Sequence, residues 1–130
     1  MPIDIELRHL RYFSAVAEEM NFGRAAERLH IAQPSLSQQI RKLEQLIGTE
    51  LIDRSQRAIR LTPAGEALAS RTGRAFEGVD AALVAARDAA AGLTGRFAVG
   101  FVETAAISIV PAAVRNFRAT HPRIVLELRE

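Results

Sequence analysis

The chain has 130 residues, 48% of them hydrophobic, which allows a packed core and argues against wholesale disorder. It contains no cysteine, so disulfides, thiolate metal sites and cysteine nucleophiles are all excluded. The net charge is only +2, no apolar run approaches the roughly 20 residues of a membrane span, and Met1 to Glu6 lack the basic start and apolar core of a secretory signal, so a cytoplasmic protein is expected.

The first predicted helix runs from Leu7 to Met20, with Leu7, Leu10, Phe13, Val16 and Ala17 at helical spacing on one face. Asn21 is placed to cap a second helix, Phe22 to Leu29, whose inward residues are Ala25, Ala26 and Leu29. His30-Ile31-Ala32 is a short connection. Gln33 then takes the cap position of a third helix and Pro34 its first helical position, where a fixed φ and a missing N–H cost nothing. Leu36, Ile40, Leu43 and Ile47 form its apolar stripe, and Gly48 follows where a left-handed terminator is needed. Two short β-like runs, Glu50 to Arg54 and Ala58 to Leu61, predict a hairpin, or wing, around Ser55-Gln56-Arg57.

Thr62-Pro63 repeats the capping logic and opens a long helix to about Ala91. Leu68, Thr72, Ala75, Phe76, Val79, Ala82, Leu83, Ala86 and Ala90 form a narrow apolar seam. At ~1.5 Å per residue such a helix spans about 40 Å, more than a small domain can cover, so a homodimer through this seam is expected. The bland alternative is an ordinary packed helix. Gly92-Leu93-Thr94-Gly95 then breaks the helix as a hinge. Phe97 to Val102 reads as a buried parallel strand, Ile107 to Thr120 as a helix with Pro111 in its first turns, and Ile124 to Leu128 as a second strand. This β-α-β unit opens an α/β domain whose sheet faces stay uncovered, so a truncation of a longer protein is expected. The fold class is thus mainly α: a winged helix-turn-helix over residues 1–61, a linker and dimerisation helix over 62–92, and over 93–130 the incomplete start of an α/β domain.

Charge is uneven along the chain. Arg24, Arg28, Arg41, Lys42, Arg54, Arg57 and Arg60 outnumber Glu27, Glu44, Glu50 and Asp53, a local +3, whereas residues 1–23 carry −2. A basic surface beside an acidic shoulder suits a polyanion, although solvated arginine alone would give the same count. The helix pattern adds what charge lacks. The major groove of B-DNA, about 12 Å wide, admits a helix, and short polar groups on its first turn let the backbone approach base edges. Gln33, Ser35, Ser37 and Gln38 supply such groups, and either glutamine is able to pair bidentately with adenine. Arg41 and Lys42 lie further along and suit phosphate.

Taken together, Leu7-Arg8-His9-Leu10-Arg11-Tyr12-Phe13, Ala25-Ala26-Glu27-Arg28-Leu29-His30, Gln33-Pro34-Ser35-Leu36-Ser37, Leu43-Glu44, Gly48, Leu51, Arg54 and Leu61-Thr62-Pro63-Ala64-Gly65-Glu66 form an ordered set. The chain thereby resembles the N-terminal part of a LysR-type transcriptional regulator. The resemblance implies a cytoplasmic bacterial transcription factor that binds double-stranded DNA, dimerises through the linker helix, often assembles as a tetramer, and senses a small-molecule effector without a further cofactor. It maps DNA contacts onto Gln33, Pro34, Ser35, Ser37 and Gln38, with Arg57 on the wing. Where the family commonly has arginine after the second serine, this chain has Gln38, which shifts the expected base preference. A hydroxyl residue after the first strand of the effector domain corresponds to Thr104.

Several assignments have rivals. Arg54 is either a DNA contact or an internal ion pair with Asp53 or Glu50, and Thr104 either an effector ligand or a helix cap or buried hydroxyl. His9, His30 and His121 have no ligand spacing and are assigned structural or surface roles, so no metal is expected. Ser35 and Ser37 lack a neighbouring general base, and nothing else supports an enzyme. The remaining rival is a helical dimerisation and protein-interaction module that does not bind DNA.

Overall fold

The structure, a computed structural model, describes residues 4–129 apart from the side chain of Thr104. Those residues fall into two compact units, one up to Phe76 and the other from Glu77 on, with the boundary inside a long helix. In the first unit, α1 (Leu7–Glu19), α2 (Phe22–Leu29) and α3 (Gln33–Ile47) are followed by β1 (Ile52–Asp53), β2 (Arg60–Leu61) and the start of α4 (Pro63–Ala90). The turns between helices follow from local chemistry. Met20 and His30 end α1 and α2 in the left-handed region, and Gly48 ends α3 with φ 86°. The Asn21 side chain accepts the Arg24 N–H at 2.9 Å, which satisfies one of the free donors at the start of α2.

One core holds the three helices and the wing. Phe13, Val16, Ala25, Leu36, Ile40, Leu43 and Ile52 are fully buried, with Ala15, Ala26 and Leu51 nearly so. Two of the expected stripes each lose a terminal residue. Leu7 is 46% exposed and Ile47 38% exposed, each at an end of its helix. Two polar residues are buried in addition. His9 is fully buried and its Nδ1 accepts the Glu6 N–H at 3.1 Å, which ties down the entry to α1. Glu44, 8% exposed, follows Leu43 into the interior.

The wing is shorter than its apolar runs suggest, a single antiparallel pair in which Ile52 faces Leu61 and Asp53 faces Arg60. It is anchored at its base. The Thr62 N–H donates to Leu51 O at 3.0 Å, the Thr62 hydroxyl donates to Glu50 O at 2.7 Å, and Thr62 Oγ1 accepts the Gly65 N–H at 3.1 Å. Thr62 thus caps α4 and clamps it to β1 at once. The contact leaves no room at Gly65, where a β-carbon would stand 2.1 Å from Leu51 O.

The seam along α4 divides. Thr72 is 2% exposed, with its hydroxyl bonded to Leu68 O at 2.6 Å, and Leu68 packs against the core of its own unit. These two residues therefore face the interior of the chain and leave the seam expected for a partner helix. Phe76 and Val79 are half-buried, while Ala75, Leu83 and Ala86 are exposed.

In the second unit, the last turns of α4 lead through Gly92 (φ 71°) and Gly95 (φ 133°) into β3 (Gly95–Gly100). Then come α5 (Glu103–Ser108), α6 (Val110–Thr120) and β4 (Ile124–Arg129). The strands pair in parallel from Gly95 opposite Ile124 to Gly100 opposite Arg129, so the β-α-β topology is as read. Three details differ. β3 lies two residues earlier than its apolar run. The expected single helix is two, broken at Ile109. And β3 is mostly exposed rather than buried, with Phe97 51% exposed, since a pair of strands with helices on it has no second layer to bury both faces. Phe97 stacks on Phe117, and Phe117 on His121, with ring centroids 5.5 and 4.9 Å apart; Arg123 pairs with Asp88. Among the described residues no helix is long and apolar enough to cross a membrane.

Candidate nucleic-acid interface

The third helix presents two opposite surfaces. Leu36, Ile40 and Leu43 fix one to the core without exposure. On the other, Gln33, Pro34, Ser35, Gln38, Arg41 and Lys42 are exposed, and Ser37 is half-buried at the margin. Pro34, Gln38 and Lys42 follow one another at i, i+4 and therefore stand in a row along the outer face. The N-cap is Ala32, not Gln33, and it makes no side-chain capping bond; Gln33 and Pro34 are the first two helical residues. The cap role does not need a polar side chain here because proline removes one of the donors that a cap would satisfy. Gln33 is exposed, with its amide oxygen on the side of the helix start that faces Gly23 of α2.

The wing comes round to the same side. Gln33 and Arg57 line one groove of about 650 Å³, together with Met20 to Gly23 at the start of α2 and with Ala58 and Ile59. The exposed start of α3 and a cationic wing residue thus line one concave surface. The wing turn is held by the Ser55 N–H, which donates to Asp53 Oδ1 at 2.9 Å. Hydrogen bonds from the Ser55 side chain and backbone, with the Arg60 charge behind them, hold the Asp53 carboxyl below its ordinary pKa.

The basic residues separate into two groups. Arg54 is held in an ion pair within the unit: its Nη1 lies 3.0 and 3.1 Å from the two carboxylate oxygens of Glu44. Its partner is neither Asp53 nor Glu50, the two proposed from proximity in sequence. Glu44 Oε1 also accepts the N–H groups of Leu51 and Ile52 at 2.9 and 3.1 Å, so a carboxylate on α3 fastens the first strand of the wing. Arg28 is likewise occupied, by Glu18 at 2.6 Å and Glu19 at 3.5 Å, and the hydrogen bond and charge of Glu18 raise its pKa above the ordinary value. Arg41, Lys42 and Arg57 form no ion pair among the described residues, so their charge is available to an anion. Thr104 lies in α5; its side chain lies outside the described residues.

Sequence reasoning missed Glu44, whereas His9, expected in a structural or surface role, is buried and structural. A buried acid has one usable signal, its position on the core face of the helix beside Leu43, and that signal becomes decisive only when its donors, seven to ten residues away, are seen to fold back onto it.

Three helices with a short turn before the third, and a hairpin packed beside it, define a winged helix-turn-helix protein. Residues 7–66 match the bacterial regulatory helix-turn-helix proteins of the lysR family, and the chain belongs to that family. It is 43% identical over 126 residues to the HTH-type transcriptional regulator AlsR of Bacillus subtilis (strain 168), covering 97% of this chain and 42% of AlsR. It is 42% identical over 126 residues to the HTH-type transcriptional regulator BudR of Klebsiella aerogenes, covering 97% of this chain and 79% of BudR. The crystal structure of full-length CbnR complexed with its target DNA superimposes with a TM-score of 0.86 at 36% identity, over 95% of this chain and 43% of that one. The chain thus spans less than half the length of AlsR and of CbnR.

Proposed function

We propose that this chain is the DNA-reading and dimerising part of a sequence-specific transcriptional regulator. The observation that carries the reading is the geometry of α3. Its inner face is immobilised by Leu36, Ile40 and Leu43, while its first turn offers Gln33, Ser35 and Gln38 to a ligand. In the family to which the chain belongs, CbnR is described bound to its target DNA. Gln33 and Gln38 read base edges in the major groove, Pro34, Ser35 and Ser37 let the helix start approach, and Arg41, Lys42 and Arg57 neutralise flanking phosphates. Arg54 contributes through the wing it holds rather than through DNA.

The exposed part of α4 supports a homodimer. Leu83 and Val84 are 51% and 50% exposed on a helix, and Ala75, Val79 and Ala86 continue the stripe. A two-fold dimer presents two reading helices, so the site is approximately palindromic. The protein works by binding, not by catalysis, and the β-α-β unit belongs to a domain that receives a small-molecule effector, with Thr104 among its ligands.

Gel-shift experiments with DNA from upstream of its own and neighbouring genes test the reading. The expected result is a salt-sensitive complex that survives excess unrelated competitor DNA. A dimer that forms no such complex would establish the protein-interaction module instead.

A further inference from the structure

The wing is too short to place itself. Its sheet is one pair of two-residue strands, Ile52 opposite Leu61 and Asp53 opposite Arg60, and an isolated hairpin is marginal in water. Contacts with the rest of the unit therefore decide where its tip stands. The return limb is held by apolar packing, since Ile59 and Leu61 lie against the core. The outgoing limb is held by α3. Glu44 Oε1 accepts the Leu51 and Ile52 N–H groups, and both Glu44 oxygens accept from Arg54 Nη1. Arg54 is the last of these attachments before the turn. Arg57 follows three residues later, a span of up to about 10 Å, so a small swing at Arg54 becomes a larger one at Arg57. A buried ion pair contributes little net stability, because desolvation offsets most of its attraction. What this one fixes is geometry: a carboxylate already tied to two backbone donors holds the guanidinium in one place.

We propose that Glu44 and Arg54 are positioning residues for DNA binding: their ion pair holds the outgoing limb of the wing against α3 and so sets where the Arg57 guanidinium meets a phosphate. The inference rests on the DNA-reading function proposed above and adds to it two residues that touch no DNA. One substitution isolates the pair. In Glu44→Gln the amide oxygen must stay at the Oε1 position, where the two backbone donors point at it. The amide nitrogen then takes the Oε2 position, 3.0 Å from Arg54 Nη1. Two donors do not bond each other at that distance. The guanidinium loses its charge partner and must shift, while β1 keeps its bonds to α3.

The test is a set of binding titrations across salt on one double-stranded site selected by the chain from a randomised pool. The chain itself, Glu44→Gln, Arg57→Ala and the double variant are compared at a temperature where circular dichroism shows each fully folded. Glu44→Gln is expected to weaken binding and to lower the salt slope by about one unit, as the loss of one phosphate contact does. In the Arg57→Ala background it should change neither affinity nor slope. Arg54→Gln removes the guanidinium with the bonds from β1 to Glu44 intact; it should reproduce the same pattern and takes the place of Glu44→Gln if that variant does not fold. A folded Glu44→Gln with an unaltered slope would make the pair structural only and overturn the proposal. So would a loss that persists without Arg57, or a steeper slope, which would show the freed Arg54 taking a phosphate itself. Failure of the unsubstituted chain to select any site would remove the DNA-reading function, and is distinguished because it appears before any variant is compared.

Discussion

Replacing Gly65 by alanine sets two well-understood effects against each other. In a helix interior alanine is favoured over glycine by about 1 kcal/mol, and Gly65 lies in the first turn of α4, where the gain is smaller. Against it stands the close approach to β1: the new β-carbon would lie 2.1 Å from Leu51 O and 3.0 Å from Leu51 C. Real β-carbons essentially never come within 3.0 Å of such an atom, so the helix and the strand must part by about 1 Å. That separation pulls on both bonds of the clamp, Thr62 N–H to Leu51 O and Thr62 hydroxyl to Glu50 O, each contributing about 1 kcal/mol. It also disturbs Leu51 and Ile52, which are 1% and 0% exposed, and overpacking of this kind costs about 1–3 kcal/mol. The sum predicts a net loss of about 2–4 kcal/mol. Gly73 lies in the same helix with nothing within 4 Å of its β-position, so Gly73→Ala should gain up to about 1 kcal/mol. Urea unfolding followed by tyrosine fluorescence is a suitable assay, since the single tyrosine, Tyr12, packs against the core of the first unit and there is no tryptophan. A Gly65→Ala midpoint at or above the unsubstituted value would refute the reasoning.

Gln38→Ala should alter preference at one or two base positions, whereas Arg57→Ala should weaken binding to every sequence and reduce the salt slope by about one unit; binding titrations across salt on matched and altered sites separate the two. Glu44→Ala strands the Leu51 and Ile52 N–H groups and the Arg54 guanidinium, and should lower stability by about 2–4 kcal/mol in chemical denaturation. The Asp53 carboxyl has a lowered pKa in the folded state, so its contribution is complete above the ordinary carboxylate value and is lost as pH falls through the lowered one. In Ser55→Ala the hydroxyl bond is gone, and an NMR titration should place the Asp53 midpoint higher, nearer the ordinary value. Leu83→Glu puts a charge at the middle of the exposed α4 stripe and should shift sedimentation from dimer towards monomer, with the stability of the first unit unchanged.

What could be read from the sequence follows a physical division. Features set by a few neighbouring residues were legible: the Asn21 cap, the left-handed Gly48, and Thr62-Pro63 at the head of α4 all act within one turn of chain. Periodicity found the faces of the helices but not their ends, because it cannot show where the core stops; hence Ile47 and Leu7 read as inward and prove exposed. The same limit hid the division of α4, whose stripe looks uniform although Leu68 and Thr72 turn to their own unit and Leu83 does not. Partners distant in sequence were not legible. Arg54 has acids beside it at Asp53 and Glu50, yet Glu44, ten residues away, is the one brought within 3.0 Å. The register of β3 was missed because it is set by pairing with β4, Gly95 against Ile124, and not by its own most apolar run. Of the interface, the exposed first turn of α3 was legible as a pattern, and the groove shared by Gln33 and Arg57 required the fold.

The carboxylate of Glu44 has a practical meaning for anyone who would retarget this domain. It lies on the same helix as Gln33, Ser35 and Gln38 but points inward, and it grips the wing through Leu51, Ile52 and Arg54. Grafting a whole foreign helix onto this scaffold would discard that grip, and with it the placement of Arg57. Exchanging only the outward residues of the first two turns keeps it. The helix is therefore modular by face rather than by length, and a library randomised at the outward positions, with Leu36, Ile40, Leu43 and Glu44 held constant, is the one in which new DNA preferences should be recovered from well-folded proteins.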